Sequence, residues 1–194
     1  VGDDAGSRAR GDAKGKRKRR DCFLRFELPR FALARAAANE LNRELIKNAD
    51  AAFGVFDFDS RLENYSEDAF RRAAEKMLAD FPNLKAVIST LRDVHSASRH
   101  NLGAVCLYQN QVFRSRDYKS VEVLDRVGSG DAFAAGFIHG LLATDGKDAQ
   151  YAVDCGAALG VLAMTTIGDN STANFSKVEQ LINISSEGGA TAIR

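Results

Sequence analysis

The residues best suited to do chemistry lie in the segment 121–137, VEVLDRVGSGDAFAAGF. A strand-like stretch runs into the turn GSGD, residues 128–131, and then directly into an apolar helical pattern. Backbone N–H groups at the start of a helix have no partner within the helix, and the helix dipole favours an anion there. Two glycines let the backbone approach such an anion closely. The segment therefore predicts an anion site of the kind that holds a phosphate.

Two familiar phosphate-binding motifs do not fit this turn. The dinucleotide fingerprint G-x-G-x-x-G needs a third glycine, but Phe133 stands in its place. The P-loop motif G-x-x-x-x-G-K-[ST] has its nearest counterpart at 140–148, where the spacing is wrong and Asp148 replaces the hydroxyl residue. The sequence therefore indicates neither a dinucleotide-binding fold nor a P-loop enzyme.

Asp131 distinguishes this turn from one that only binds a phosphate. An acid in the first turn of a helix is commonly a capping residue. Beside a phosphate, however, a carboxylate repels the anion unless it takes a proton from a hydroxyl that attacks the phosphoryl group. The combination predicts phosphoryl transfer, with Asp131 as general base and the glycine turn as the electrostatic support.

The elements that must position this turn alternate between helix and strand. Helical patterns cover five segments: 31–47, 66–81 with Ser66 as N-cap, the stretch from the turn to 142, 149–164, and a short helix at the capping box 176–179. Strand patterns cover 85–90, 104–108, 111–114 and 119–124, the middle two as a hairpin around 109–110. The residues between 90 and 104 are predicted to be a polar loop. This order predicts an α/β sandwich.

Composition excludes several classes of protein. The 194 residues are 45% hydrophobic and 27% charged, which is an ordinary globular balance. No apolar run reaches ~18 residues, and the first twenty residues lack the apolar core of a signal peptide. Three scattered cysteines, Cys22, Cys106 and Cys155, argue against a disulfide framework and fit a cytoplasmic protein. The spacings of His95, His100 and Cys106 match no zinc pattern, so we expect no protein-built metal site.

The net charge of +1 hides a basic N-terminus. Residues 1–20 hold eight basic and three acidic side chains, with Val1 as the only large apolar one, so they cannot build a core. No aromatic residue is present there to stack on a base, which disfavours a nucleic-acid arm. We expect four regions: a basic disordered tail (1–30), an unassigned helical segment (31–52), the α/β domain (53–184) and a flexible C-terminus (185–194).

The segment DRVGSGDAFAAGFIHGLL resembles the C-terminal signature of the ribokinase (PfkB-type) sugar kinases, D-[TS]-x-G-[AS]-G-D-x-F. The matching residues are Asp125, Gly128, Ser129, Gly130, Asp131 and Phe133. Within that family, Arg126-Val127 and the segment 87–105, VISTLRDVHSASRHNLGAV, are most similar to the 2-keto-3-deoxygluconate kinases. The resemblance covers roughly residues 53–182.

The resemblance implies a three-layer α/β/α sandwich of the ribokinase type. It also implies ATP-dependent phosphorylation of the sugar acid 2-keto-3-deoxygluconate to its 6-phosphate, with Mg²⁺. Asp131 would be the catalytic base, and Gly128, Ser129 and Gly130 would form the anion hole.

The resemblance places further residues around the nucleotide. Ser89, Thr90 and Arg92 would lie beside it, and groups around Asp125 and Val127 would help to bind a monovalent cation such as K⁺. The expected partners are therefore ATP and a small sugar acid, without membrane or nucleic acid, and homo-oligomerisation is left open.

The sequence departs from the family on its N-terminal side. The early Gly-Gly motif, the first βαβ units and the β-stranded lid have no counterpart, so we expect a fold truncated there. The N-x-x-E element that organises Mg²⁺ and phosphates would lie in LIKNADAA, where Asn48 is present but Ala51 replaces the glutamate. Two hypotheses remain: a sugar-acid kinase, or an inactive fragment or nucleotide-binding module that lacks a sugar site. We expect the chain alone to turn over well below the ~1–100 s⁻¹ that is usual for kinases.

Overall fold

The computed structural model describes residues 23–25, 32–54, 67–168 and 171–183. They form a six-stranded mixed sheet and five helices. The strands are β1 (Phe23–Arg25), β2 (Ala51–Phe53), β3 (Ala86–Ser96), β4 (Arg99–Tyr108), β5 (Gln111–Arg114) and β6 (Tyr118–Glu122). The helices are α1 (Ala32–Ile46), α2 (Glu67–Asp80), α3 (Ser129–Ala143), α4 (Ala149–Met164) and α5 (Phe175–Asn183). Among these residues no helix combines the length and hydropathy of a membrane span.

The sheet is parallel on one side and antiparallel on the other. Its order is β1-β2-β3-β4-β5, and β1, β2 and β3 run parallel. The remaining pairings are antiparallel. Strand β5 pairs with residues 105–108 of β4 and β6 pairs with residues 99–102, so both lie along the edge of β4 that faces away from β3.

Successive strand residues bury two separate cores, because neighbouring side chains point to opposite faces of a sheet. On one face Phe53, Ile88 and Cys106 pack with residues of α3, α4 and α5. On the other face Ala52 and Val87 pack with residues of α1 and α2. The three-layer α/β/α sandwich that the resemblance implies is thereby confirmed.

Phe53, the last residue of β2, anchors the start of α3 to the sheet. Its ring meets Phe133 edge-on at 6.2 Å and Phe137 edge-on at 5.6 Å between centroids. All three side chains are almost fully buried. Edge-to-face pairs of this kind each add about 0.5–1.5 kcal/mol beyond the burial of their area. The first turns of α3 are therefore fixed above the ends of the parallel strands.

Helices α3 and α4 pack closely because glycines face the contact. A Cβ atom at Gly136 would lie 2.6 Å from the carbonyl oxygen of Cys155, and one at Gly140 would lie 2.8 Å from the Cα atom of Ala152. A Cβ at Gly156 would lie 2.8 Å from the ring of Phe133. Real Cβ atoms do not approach other atoms so closely, so the seam between the helices admits no further methyl group.

The prediction of a polar loop between residues 90 and 104 is wrong. Strand β3 continues to Ser96 and β4 begins at Arg99, and the two pair along this whole length. Residues 92–99 are exposed, because this part of the hairpin extends beyond the helices that cover the core. Because neither face of this part of the hairpin is buried, its sequence does not alternate between apolar and polar residues. That alternation is the pattern by which a strand is recognised.

Two short strands lie where the sequence analysis predicts none. Strand β1 falls inside the segment assigned to the disordered tail, and β2 falls across the end of the segment assigned to a helix. With α1 they form a parallel β–α–β unit of the sheet. The sequence analysis misses both strands, because a strand of three residues is too short to show a period of its own.

The cap of α5 also differs from the prediction. The helix begins at Phe175, and the Asn174 side chain accepts the Lys177 N–H at 3.1 Å, so Asn174 rather than Ser176 caps it. The predicted Ser66 cap, most of the N-terminal tail and the C-terminus from 185 lie outside the described residues.

Replacing Gly136 by alanine tests the close packing of α3 and α4. The substitution favours the helix locally, but the new methyl group must displace the backbone at Cys155, and overpacking of this kind costs about 1–3 kcal/mol. We expect Gly136→Ala to lower the melting temperature of the 194-residue chain, as measured by circular dichroism. The control is Ala135→Ser, an exposed neighbour in the same helix, which should change the free energy of unfolding by less than about 0.5 kcal/mol. A higher melting temperature for Gly136→Ala would contradict the packing described above.

Candidate functional site

A cleft of about 730 Å³ opens between the sheet and the start of α3. Its lining comes from three places: residues 53–54 at the end of β2, residues 88–92 of β3 with Leu102 of β4, and residues 126–133 leading into α3. Ligands of open α/β sheets characteristically bind at the carboxyl ends of parallel strands, which is where this cleft lies.

The structure brings the predicted site residues together, with one exception. Those that line the cleft are Ser89, Thr90, Arg92, Val127, Gly128, Ser129, Gly130 and Asp131. Asp125 is the exception and lies beside the lining. Six further lining residues were not predicted: Phe53, Gly54, Ile88, Leu102, Arg126 and Phe133. Arg126 is the only one of the six that is charged, and its place within the glycine-rich segment was the available signal.

The glycine turn has the geometry that an anion site requires. Gly128 is in the left-handed region at φ 76°, which strains any other residue, and it forms the N-terminal boundary of α3 without a side-chain cap. The Ser129 hydroxyl donates to the carbonyl of Arg126 at 2.9 Å, so it fixes the turn instead of occupying the cleft. The first helical hydrogen bond runs from the Ala132 N–H to the Gly128 carbonyl at 2.8 Å. The uncapped first turn of α3 therefore meets the cleft directly.

Asp125 holds the glycine turn against the end of α4. Its carboxylate accepts the N–H of Val127 at 3.0 Å and the N–H of Gly168 at 3.3 Å. The N–H groups of Leu124 and Asp125 both donate to the carbonyl of Met164. The hydrogen bond from Val127, with a smaller contribution from Gly168, lowers the pKa of Asp125 below its ordinary value. The observed contacts of Asp125 are structural, and its role toward a cation stays a prediction.

The charges in the cleft are unequal. Among the described residues that line it, Asp131 carries the only carboxylate, and Arg92 and Arg126 carry the only positive charges. All three side chains are exposed. A concave surface with an excess of positive charge attracts anions, and a single carboxylate within it can accept a proton.

The predicted nucleotide-binding residues of β3 differ in their orientation. Thr90 pairs with Ala104 and Arg92 pairs with Leu102, so both belong to the face of the sheet that α3 covers. The side chain of Ser89 belongs to the opposite face of the sheet and is buried. Its hydroxyl donates to the Thr90 carbonyl at 3.4 Å. Thr90 and Arg92 are therefore the two of the three whose side chains share a face with the glycine turn.

Comparison with known proteins gives a family and a fold. The sequence model of the family described as pfkB family carbohydrate kinase matches residues 84–175. No curated protein sequence gives a significant match. A pfkB family carbohydrate kinase from Listeria grayi superposes with a TM-score of 0.70 at 22% identity, covering 84% of this chain and 50% of that one. The 2-dehydro-3-deoxygluconokinase from Thermotoga maritima does so with a TM-score of 0.68 at 25% identity, covering 76% and 45%.

A third structure was determined with ligands. It is an E. coli protein assigned to ribokinase II, in complex with ATP and Mg²⁺, with a TM-score of 0.55 at 23% identity, covering 76% of this chain and 43% of that one. The chain thus spans about half the length of the solved structures it matches.

These superpositions also correct the extent of the resemblance. A match that covers 84% of 194 residues is longer than residues 51–194, so it includes part of the first fifty residues, which the sequence comparison left unassigned. The fold around the glycine turn is the one these kinases share, and the segment 84–175 matches the sequence model of the pfkB family of carbohydrate kinases.

Proposed function

We propose that the cleft binds the phosphates of ATP and that the chain supplies the phosphoryl-transfer side of a carbohydrate kinase. The observation that carries the proposal is the position of Asp131, the only carboxylate among the described lining residues, beside the uncapped turn at Gly128. A phosphate held by that turn would have a proton acceptor next to it. This is the pair of groups that transfer to a hydroxyl requires.

In this proposal each group has one task. The backbone of the turn 128–130 stabilises the negative charge on the transferred phosphoryl group. Asp131 takes the proton of the attacking hydroxyl. A bond forms between the hydroxyl oxygen and the γ-phosphorus, the bond from that phosphorus to the bridging oxygen breaks, and ADP leaves. Thr90 and Arg92 contact the nucleotide from the sheet side of the cleft.

The cleft fits a magnesium ion that arrives with the nucleotide. In the described part of the chain no three His, Cys, Asp or Glu side chains form a cluster able to hold a metal. Mg²⁺ commonly keeps several waters and is bound largely by substrate phosphates, so the nucleotide phosphates and water would hold the ion while Asp131 stays the base. When bound, the ion would neutralise charge on the phosphates. The oxygen atoms around Asp125 and Val127 would hold K⁺, if a monovalent cation is used.

We propose a sugar acid, 2-keto-3-deoxygluconate, as the acceptor that is phosphorylated at its 6-hydroxyl. Support comes from the segment 87–105, which resembles the kinases of this substrate, and from the match to the Thermotoga maritima 2-dehydro-3-deoxygluconokinase. Two cysteines in the described residues, Cys106 and Cys155, are free and buried, which favours the cytoplasm as the location.

Two measurements on the purified 194-residue chain test the proposed function. Calorimetry measures binding of ATP with Mg²⁺, and a coupled assay measures release of ADP with and without the sugar acid. Binding with sugar-dependent release supports the kinase. Binding without it identifies a nucleotide-binding module that lacks the acceptor site. Absence of ATP binding overturns the proposal.

Replacing Asp131 by asparagine should separate catalysis from binding. Loss of a general base costs about 10²–10⁴ in rate, so phosphate transfer from ATP should fall by that factor. The affinity for ATP with Mg²⁺ should stay equal or increase, because a negative charge beside the phosphates is removed. Asp145→Asn is the matched control; it makes the same change at an exposed residue in a turn where asparagine is well tolerated. A variant Asp131→Asn with activity within about twofold of the parent rules out the role of base.

Replacing Gly130 by valine should remove phosphate binding. The side chain would occupy the space through which a phosphate approaches the backbone of the turn. We expect the affinity for ATP, measured by calorimetry, to fall beyond detection, while the circular dichroism spectrum keeps its helical signal. The control Ala135→Val introduces the same side chain at an exposed position of α3 and should bind ATP like the parent. Equal affinity in Gly130→Val would reduce the turn to a structural entry into the helix.

A further inference from the structure

The backbone of Arg126 is fixed at the mouth of the glycine turn. Its carbonyl accepts the Ser129 hydroxyl at 2.9 Å and the Ser129 N–H at 3.4 Å. The residues on either side of it, Asp125 and Val127, are joined by a hydrogen bond of 3.0 Å. The side chain of Arg126 therefore starts from a defined position, two residues before the left-handed Gly128.

Within the described part of the chain, the guanidinium of Arg126 has no ion-pair partner. No carboxylate in the described ranges forms an ion pair with it, although it is exposed and lines the cleft. Arg114 shows what a structural arginine looks like in this molecule: it contacts Glu67 at 3.0 Å and Asp117 at 3.0 Å. No ion pair with the described residues therefore competes with an anion for Arg126.

Arg126 and Arg92 both contribute positive charge to the cleft. Arg92 lies on β3, opposite Leu102, and its neighbour His100 is buried on β4. Burial first, and then the positive charges of Arg92 and Arg126, lower the pKa of His100 below its ordinary value. Both arginine side chains line the cleft, Arg92 from the sheet and Arg126 from the turn.

We propose that Arg126 is a phosphate-binding residue that contacts the terminal phosphates of the nucleotide, opposite Arg92. The planar guanidinium donates two parallel hydrogen bonds to phosphate oxygens, which suits a group whose charge increases during transfer. The usual form of the signature has threonine or serine at this place, and neither carries a charge. The inference rests on the proposed function and assigns to this chain a cation that the usual signature lacks.

The experiment compares ligands that differ in their phosphates. Binding of ATP with Mg²⁺, of AMP and of inorganic tripolyphosphate is measured by calorimetry for the parent chain, Arg126→Ala and Arg126→Lys. Loss of a charged hydrogen-bonding group should weaken ATP and tripolyphosphate by about tenfold or more, and AMP by less than twofold. Lysine should restore part of the affinity, because it keeps the charge but not the planar fork. The matched control is Arg72→Ala, an exposed arginine of α2 on the opposite face of the sheet.

Each outcome decides the inference. Equal ATP affinity in Arg126→Ala, with ATP binding still abolished by Gly130→Val, overturns the role of Arg126 and leaves the proposed function intact. Equal losses for ATP and AMP mean that the substitution distorts the cleft, and this also overturns the role. A change confined to the Michaelis constant for the sugar acid assigns Arg126 to the acceptor instead. Failure of the parent chain to bind either ATP or tripolyphosphate overturns both proposals.

Discussion

The glycine-mediated contact between α3 and α4 determines where the rest of the site can lie. Because Gly136 and Gly140 bring the helices together, the C-terminal end of α4 lies next to the segment that precedes α3. There the carbonyl of Met164 and the N–H of Gly168 hold Leu124 and Asp125. Asp125 in turn fixes the backbone that leads into the glycine turn. A wider separation of the helices would shift each of these contacts.

The cleft brings several positively charged groups close together, which is electrostatically unfavourable in the free protein. Two arginines and an uncapped helix start repel one another, and the Asp131 carboxylate beside them would repel a phosphate. The three charged side chains are exposed to water, which reduces the cost of holding them together. An anion in the cleft would neutralise most of the positive charge and leave Asp131 as the proton acceptor. The electrostatics therefore favour an anionic ligand in the cleft.

The part of this site that is contiguous in sequence could be predicted, because a glycine turn followed by a helix has one local geometry. Local sequence patterns also predicted three other features: the strand before the turn, the hairpin turn at 109–110 and the extent of α4. The anchoring of Asp125 by Gly168 was not, because the two residues are 43 positions apart and only the helix packing brings them together. Phe53 and Leu102 line the cleft for reasons of tertiary structure alone. The short strands β1 and β2 carry too few residues to show a pattern.

The close seam between α3 and α4 also contains a chemical reporter. The Cys155 sulfur would lie 3.2 Å from a Cβ at Gly140, so the thiol sits within the seam. Burial raises the pKa of Cys155 to about 11, which keeps it as the unreactive thiol at neutral pH. An alkylating reagent can therefore reach a reactive thiolate only when the two helices separate. The rate of alkylation at Cys155 would therefore measure how often the two helices separate. A ligand that links the start of α3 to the sheet would lower that rate.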